Sequence, residues 1–248
     1  MINRKTSKAL LIAFAFSLSA PAGLFGQEDD YVSLQWWHPV VATAGVAALF
    51  LVDQPVQEFW EDNQSGFLDD VSDVAKRFKD PEVYWVAGPG VMAVGLMLDN
   101  PMVAQTGLQA LTAYGLSSGM MIATKRVFGR SRPSGTPDDH TNFDWFGGGE
   151  SSAFPSGSAA VVFSLATTLS DAIDNTAVSV ALYSGAVLNS WSRVYTERHW
   201  FTDVAVGALY GVAAAKLVNG RWRVFGLKPP TVIVGPEGRT SLLYRIDF

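Results

Sequence analysis

The sequence of 248 residues predicts an all-α fold, a helical bundle of about six core helices followed by a short C-terminal β-hairpin. Three observations lead there. Segments 82–98, 102–124, 156–170, 176–190 and 202–218 are long, apolar and nearly free of charge, and 38–52 is a further apolar stretch. Small residues recur within them (Ala159, Ala160, Gly207, Gly211, Ala214), which lets helices approach closely. In the tail, 231–234 is β-branched, 235–238 reads Gly-Pro-Glu-Gly, and Leu242, Tyr244, Ile246 and Phe248 alternate with polar residues, the pattern of two strands about a turn.

The elements follow in order. Arg4, Lys5 and Lys8 precede an uncharged run at 9–20, and Ala20-Pro21-Ala22 offers a small-x-small cleavage site. Residues 1–22 therefore read as a signal peptide, with an uncleaved anchor as the alternative; the run is short against the roughly 20 apolar residues of a span. Either reading exports the rest of the chain to a bacterial cell envelope, facing the periplasm. Residues 27–80 form an N-terminal helical region, with 55–79 alternating apolar and charged residues at helical spacing. Its acidic residues (Glu58, Glu61, Asp62, Asp69, Asp70, Asp73) read as a solvated face rather than a cation site. Asp99-Asn100-Pro101 marks a turn. The connector 134–154 has no period, and a loop of that length inside a helical domain is usually functional or disordered. The hairpin occupies 228–248.

Composition limits the functions available. Hydrophobic residues make up 48% and charged residues 17%, too apolar for a disordered chain and rich enough to suggest membrane contact. A formal net charge of −5, with no basic stripe, argues against a nucleic-acid partner. Zero cysteines exclude disulfides, thiolate chemistry and cysteine zinc sites. Three histidines (His38, His140, His199) are too few for a multi-histidine metal site.

Chemistry concentrates in three clusters. Lys125-Arg126-Val127-Phe128-Gly129-Arg130-Ser131-Arg132-Pro133 ends an apolar helix, where cations suit the helix dipole by themselves. Pro155-Ser156-Gly157 opens another helix; such residues cap helices, yet the exposed N–H groups also make an anion site. Ser192-Arg193 precedes His199 and Asp203, four residues apart and on one face if helical. A carboxylate beside an imidazole fixes its tautomer, although an isolated pair at this spacing is more simply a helix-stabilising contact.

In order, Lys-x6-Arg-Pro, Pro-Ser-Gly and Ser-Arg-x5-His-x3-Asp resemble the signature of the type 2 phosphatidic acid phosphatase (PAP2) and vanadium haloperoxidase superfamily. Ten residues fit: Lys125, Arg132, Pro133, Pro155, Ser156, Gly157, Ser192, Arg193, His199 and Asp203. The resemblance covers residues 82–220 as a PAP2-like phosphatase domain. It implies that Lys125, Arg132 and Arg193 neutralise phosphoryl oxygens, and forked cationic donors do suit that charge. It implies further that Ser156 and the N–H of Gly157 add hydrogen bonds, that His199 attacks phosphorus, and that Asp203 holds the other ring nitrogen. No metal or other cofactor is then required, and vanadate should inhibit. The expected partner is a phosphorylated lipid or small phosphoester, with the protein membrane-associated; nothing in the sequence indicates an oligomeric state. The family also includes soluble acid phosphatases, and the helices fit a soluble bundle as readily as a membrane one.

One position departs from the family pattern. The histidine that usually follows Pro-Ser-Gly and protonates the leaving oxygen is replaced by Ser158. A serine hydroxyl does not titrate near neutrality. The enzyme would then favour good leaving groups such as diphosphates, or His140 in the connector would supply the proton, or the chain would bind phosphate with little turnover. A vanadium-dependent haloperoxidase is the other enzyme reading, disfavoured by the same serine. Ser158→His is expected to raise turnover on poor leaving groups by up to about 10²-fold; an unchanged or lower rate in a phosphate-release assay contradicts a vacant acid position.

Overall fold

The computed structural model describes residues 31–77, 81–147, 149, 152–225, 227, 231–234 and 240–243. The export segment expected at 1–22 lies outside the described residues. Seven helices appear among them: α1 (Trp37–Asp62), α2 (Gly66–Arg77), α3 (Pro81–Met97), α4 (Pro101–Phe128), α5 (Gly157–Ile173), α6 (Thr176–Tyr195) and α7 (Phe201–Val218). Strand β1 (Val32–Leu34) pairs in parallel with β2 (Trp222–Val224), a contact with no sequence signal because each strand has only three residues. At the tail, β3 (Thr231–Val234) pairs antiparallel with β4 (Thr240–Leu243), in keeping with the expected hairpin. Residues 235–239 and 244–248 are outside the described set.

Helix boundaries follow capping chemistry. The Asn100 side chain accepts from the N–H groups of Met102 and Val103 at 3.1 and 3.2 Å, and Pro101 supplies a first helical residue that needs no N–H partner. Gly129, at φ 55°, ends α4 in the left-handed conformation, and its N–H returns to the Lys125 carbonyl at 3.1 Å. That closure fixes Lys125 in the last turn. Asn175 caps α6 by accepting from Val178 N–H at 3.1 Å.

The N-terminal region is divided differently from the sequence reading, which separates it near Pro55. Helix α1 instead runs through Pro55 for 26 residues and breaks at Asn63. An interior proline costs about 3 kcal/mol or more. Here Asp53, Val56 and Gln57 are all buried, so tertiary anchoring on both sides of Pro55 carries the helix across it. These are the only buried residues of α1, whereas Val40, Val41 and Leu51 face outward. The helix thus turns a largely polar patch inward and an apolar surface outward.

Helix α5 lies at the centre, packed against α4, α6 and α7. Val56 of α1 meets Ala159, Val194 and Val204 of α5, α6 and α7, joining the N-terminal helix to the bundle. The approach of α5 to α7 depends on missing side chains: a Cβ on Gly207 would lie 2.3 Å from the Ser156 carbonyl oxygen, and one on Gly211 would lie 2.3 Å from that of Ala160. Among the described residues, α1 and α7 have the length and composition of a membrane span. Half of the α7 window is buried, as in a core helix, but only 11% of the α1 window is. Gly207→Ala should destabilise the fold by about 1–3 kcal/mol through overpacking, read as a lowered thermal midpoint; an unchanged midpoint contradicts the close approach.

Candidate active site

The connector between α4 and α5 folds back so that three distant stretches meet. Ser131 N–H donates to Asn142 O at 3.0 Å, Ala153 N–H to Arg130 O at 2.7 Å, and Ser156 N–H to Asp203 O at 2.8 Å. The Trp200 indole N–H donates to Ser131 O at 3.0 Å, tying the start of α7 to the end of the first motif. These bonds fasten a mostly exposed loop at its two buried or half-buried ends, Arg130 to Pro133 and Ser152 to Ser156.

His199 lies in this enclosure with 4% of its surface exposed. Its Nδ1 is 2.8 Å from the Ala153 carbonyl oxygen. A carbonyl only accepts, so Nδ1 carries the hydrogen in this bond and Nε2 keeps its lone pair. Asp203 stands farther away, with Oδ2 3.7 Å from Nδ1. That is a charge contact and not a hydrogen bond. The expected bond between Asp203 and the second ring nitrogen is therefore replaced by the Ala153 carbonyl. The cause is local: Asp203 is the third residue of α7, and its Oδ2 accepts Trp200 N–H at 2.7 Å in a capping role while Oδ1 accepts from Arg130 at 2.7 Å.

Cations act on the ring and on one another. Lys125 is buried, and its Nζ donates to the Ser152 carbonyl. The charges of Lys125 and Arg193 both act on the His199 imidazole, and Arg132 acts on Lys125 and Arg193. The Nε atoms of Arg132 and Arg193 are buried with no hydrogen-bond partner. Arg198, exposed in the turn before α7, adds its charge against Arg132 and Arg193. It falls between the motif positions, and its place next to His199 is the signal in the sequence that points to it. Like charges so arranged repel unless an anion joins them.

The remaining candidates contribute less directly. Ser156 is fully buried and caps α5, its Oγ accepting from Ala159 N–H at 3.4 Å, which leaves its own O–H as a donor. A Cβ on Gly157 would meet only the flexible end of Met121 at 3.2 Å, so packing alone does not demand glycine there. Ser158 is half-buried in the first turn of α5. His140 turns its ring edge-on to Trp200 at 6.1 Å, and its carbonyl accepts from Arg130 at 2.9 and 2.6 Å. Among the described residues no cluster of three or more His, Asp or Glu side chains is placed to hold a metal ion.

Residues 106–223 match the family model of the PAP2 superfamily. The match spans just under half of the chain. Over 109 residues the chain is 35% identical to a lipid A 1-phosphatase of Porphyromonas gingivalis, covering 43% of this chain and 21% of that relative. The chain thus matches only about a fifth of that relative's length. Crystal structures share the fold: LpxE of Aquifex aeolicus at a TM-score of 0.52 and 20% identity, over 66% of this chain and 92% of that one. The transmembrane PAP2-type phosphatidylglycerolphosphate phosphatase of Bacillus subtilis gives 0.52 and 18%, over 74% and 95%. The PAP2 segment contains Lys125, Arg132, Ser156, Arg193, His199 and Asp203, and leaves α1 outside.

Burial holds the His199 imidazole below the ordinary histidine range, the charges of Lys125 and Arg193 push the same way, and Asp203 opposes them. Burial likewise lowers Arg132, with Arg198 adding to it. His199 is therefore expected to titrate below about 6.5 and to be neutral at pH 7, which NMR of histidine-labelled protein reads directly. The unfolded chain then binds the proton more readily, so this contribution to stability is complete above about pH 6.5 and declines as pH falls below it. A midpoint above the ordinary value contradicts burial as the dominant influence.

Proposed function

We propose that the chain is a metal-independent phosphatase of the cell envelope, acting on a lipid phosphate or diphosphate through a phosphohistidine. The observation that carries this reading is the pair of buried, unpartnered Nε–H groups of Arg132 and Arg193, with the Arg193 charge acting on an imidazole that has an available Nε2 lone pair. Unsatisfied buried donors cost about 1–3 kcal/mol each, and a phosphoryl group would satisfy both.

In this mechanism Lys125, Arg132 and Arg193 hold the phosphoryl oxygens and spread the charge that develops on them. His199 Nε2 attacks phosphorus, the P–N bond forms, and the bond to the leaving oxygen breaks. Positive charge on the ring is shared with the Ala153 carbonyl through Nδ1–H and with the Asp203 carboxylate across 3.7 Å. Water then attacks the phosphohistidine, giving inorganic phosphate and restoring neutral His199. No cofactor takes part, and vanadate would occupy the anion site as an inhibitor.

The leaving oxygen needs a proton, and Ser158 offers none that titrates near pH 7. Diphosphates, whose leaving group is itself a phosphate, fit such a site best. His140 is the candidate donor from the connector, because its backbone is already fastened to Arg130 near the start of α7. The names of the similar proteins, a lipid A 1-phosphatase and a phosphatidylglycerolphosphate phosphatase, favour a lipid substrate. The outward apolar surface of α1 favours membrane association. Ser158 supports a second reading, that of a phosphate-binding envelope protein with little turnover.

A panel of phosphatidic acid, phosphatidylglycerophosphate, an isoprenoid diphosphate and an aryl phosphate tests both readings. Phosphate release from at least one lipid is expected, inhibited by vanadate, and His199→Ala should lower kcat by at least about 10³-fold. Equal, negligible rates for parent and variant on every substrate would leave only binding.

A further inference from the structure

Arg130 belongs to none of the three motif positions, yet it is 1% exposed and bonds to two buried carboxylates. One terminal nitrogen, Nη1, donates to Asp203 Oδ1 at 2.7 Å; the other, Nη2, donates to Asp53 Oδ2 at 2.6 Å. Nε and Nη2 also reach the His140 carbonyl at 2.9 and 2.6 Å. The guanidinium lies 4.6 Å from the Phe50 ring centroid, 5.5 Å from that of Phe143 and 5.3 Å from that of Trp200, so aromatic faces replace the water it has lost. The second carboxylate oxygen of Asp53, Oδ1, accepts Thr202 N–H at 2.7 Å and so caps α7 from another helix.

Both supports of the imidazole run through this cluster. The Arg130 side chain fixes the Asp203 carboxylate. The Arg130 backbone carbonyl accepts Ala153 N–H at 2.7 Å, and the Ala153 carbonyl receives His199 Nδ1–H at 2.8 Å. Asp53 lies in α1, outside the PAP2 segment at 106–223. We infer that Asp53 and Arg130 are positioning residues for His199, and that α1 completes the site by clamping the first turn of α7 and the Asp203 carboxylate.

The inference rests on His199 being the nucleophile, but its test reads the ring itself. The charged groups facing the imidazole are Asp203 from α7, Lys125 from α4 and Arg193 from α6, with Arg132 and Arg198 around those cations. Asp53→Asn keeps size and an acceptor for Thr202 N–H while removing the charge behind Arg130. The positive charge of Arg130 then falls on Asp203 alone, and the imidazolium loses stabilisation. Arg130→Lys keeps the charge but not the fork that spans two carboxylates.

The experiment uses the full-length protein in detergent micelles, with 15N-histidine NMR and phosphate release measured on parent, Asp53→Asn, Asp53→Glu and Arg130→Lys. His199→Gln assigns the His199 signals. The parent should show a single Nδ1–H tautomer. Asp53→Asn should lower the His199 midpoint by at least about 0.5 and kcat by at least about tenfold, with KM within about threefold. Asp53→Glu should recover part of both. In Arg130→Lys the tautomer should become mixed. If Arg130→Lys does not fold, the two Asp53 variants decide alone. An unchanged tautomer, midpoint and kcat in folded Asp53→Asn overturns the inference. If the parent releases no phosphate from any substrate, the phosphatase reading falls; a shifted tautomer or midpoint still upholds the clamp, and an unshifted one overturns it.

Discussion

A guanidinium buried inside a protein demands partners, because moving a charge out of water costs several kcal/mol even after relaxation. Arg130 meets that demand with Asp53 on one side, Asp203 on the other, a carbonyl beside them and aromatic rings around. Each partner belongs to a different part of the chain: Asp53 to α1, Asp203 to α7, His140 and Phe143 to the connector. Satisfying one charge therefore brings together three regions that local propensity alone would leave independent. Replacing one partner leaves the others with uncompensated charge, which is why such a cluster specifies geometry more than it adds stability.

The motif cations follow a different rule. Arg132 and Arg193 have no carboxylate within hydrogen-bonding reach of Nε, and Arg198 adds like charge beside them. Two kinds of arginine thus occur in this region: one neutralised in the interior and two left with unmet Nε donors. Under the proposed function the second kind would be held in readiness for an anion, and the first would keep the nucleophile in place while the site is empty. Preorganisation of this sort lets donors meet developing charge without rearranging.

Much of this was legible in the sequence. The five apolar segments after residue 80 correspond to α3 through α7, since caps such as Asn100 and Asn175 and the stop at Gly129 are written in the residues beside them. The motif spacing also marked Lys125, Arg132, Arg193 and His199, whose charges act on one another in the folded chain. Other features were not legible. The helix through Pro55 depends on anchoring by Asp53 and Gln57, which reads as an ordinary polar stretch until the bundle surrounds it. The exchange of Asp203 for the Ala153 carbonyl at Nδ1 arises from competition with Trp200 N–H and Arg130, and residue spacing holds no record of that. Arg130 and Asp53 stand 77 positions apart with no pattern joining them.

The glycine seam between α5 and α7 has a consequence for how this scaffold could diversify. With only a hydrogen between Gly207 and the carbonyl of Ser156, the spacing of these two helices is set by backbone contact and cannot be tuned by exchanging one side chain for a larger one. New specificities would have to arise elsewhere, for instance at the exposed positions of the connector after Pro133. Adaptation would then rewrite the connector while the spacing of the two helices stayed the same.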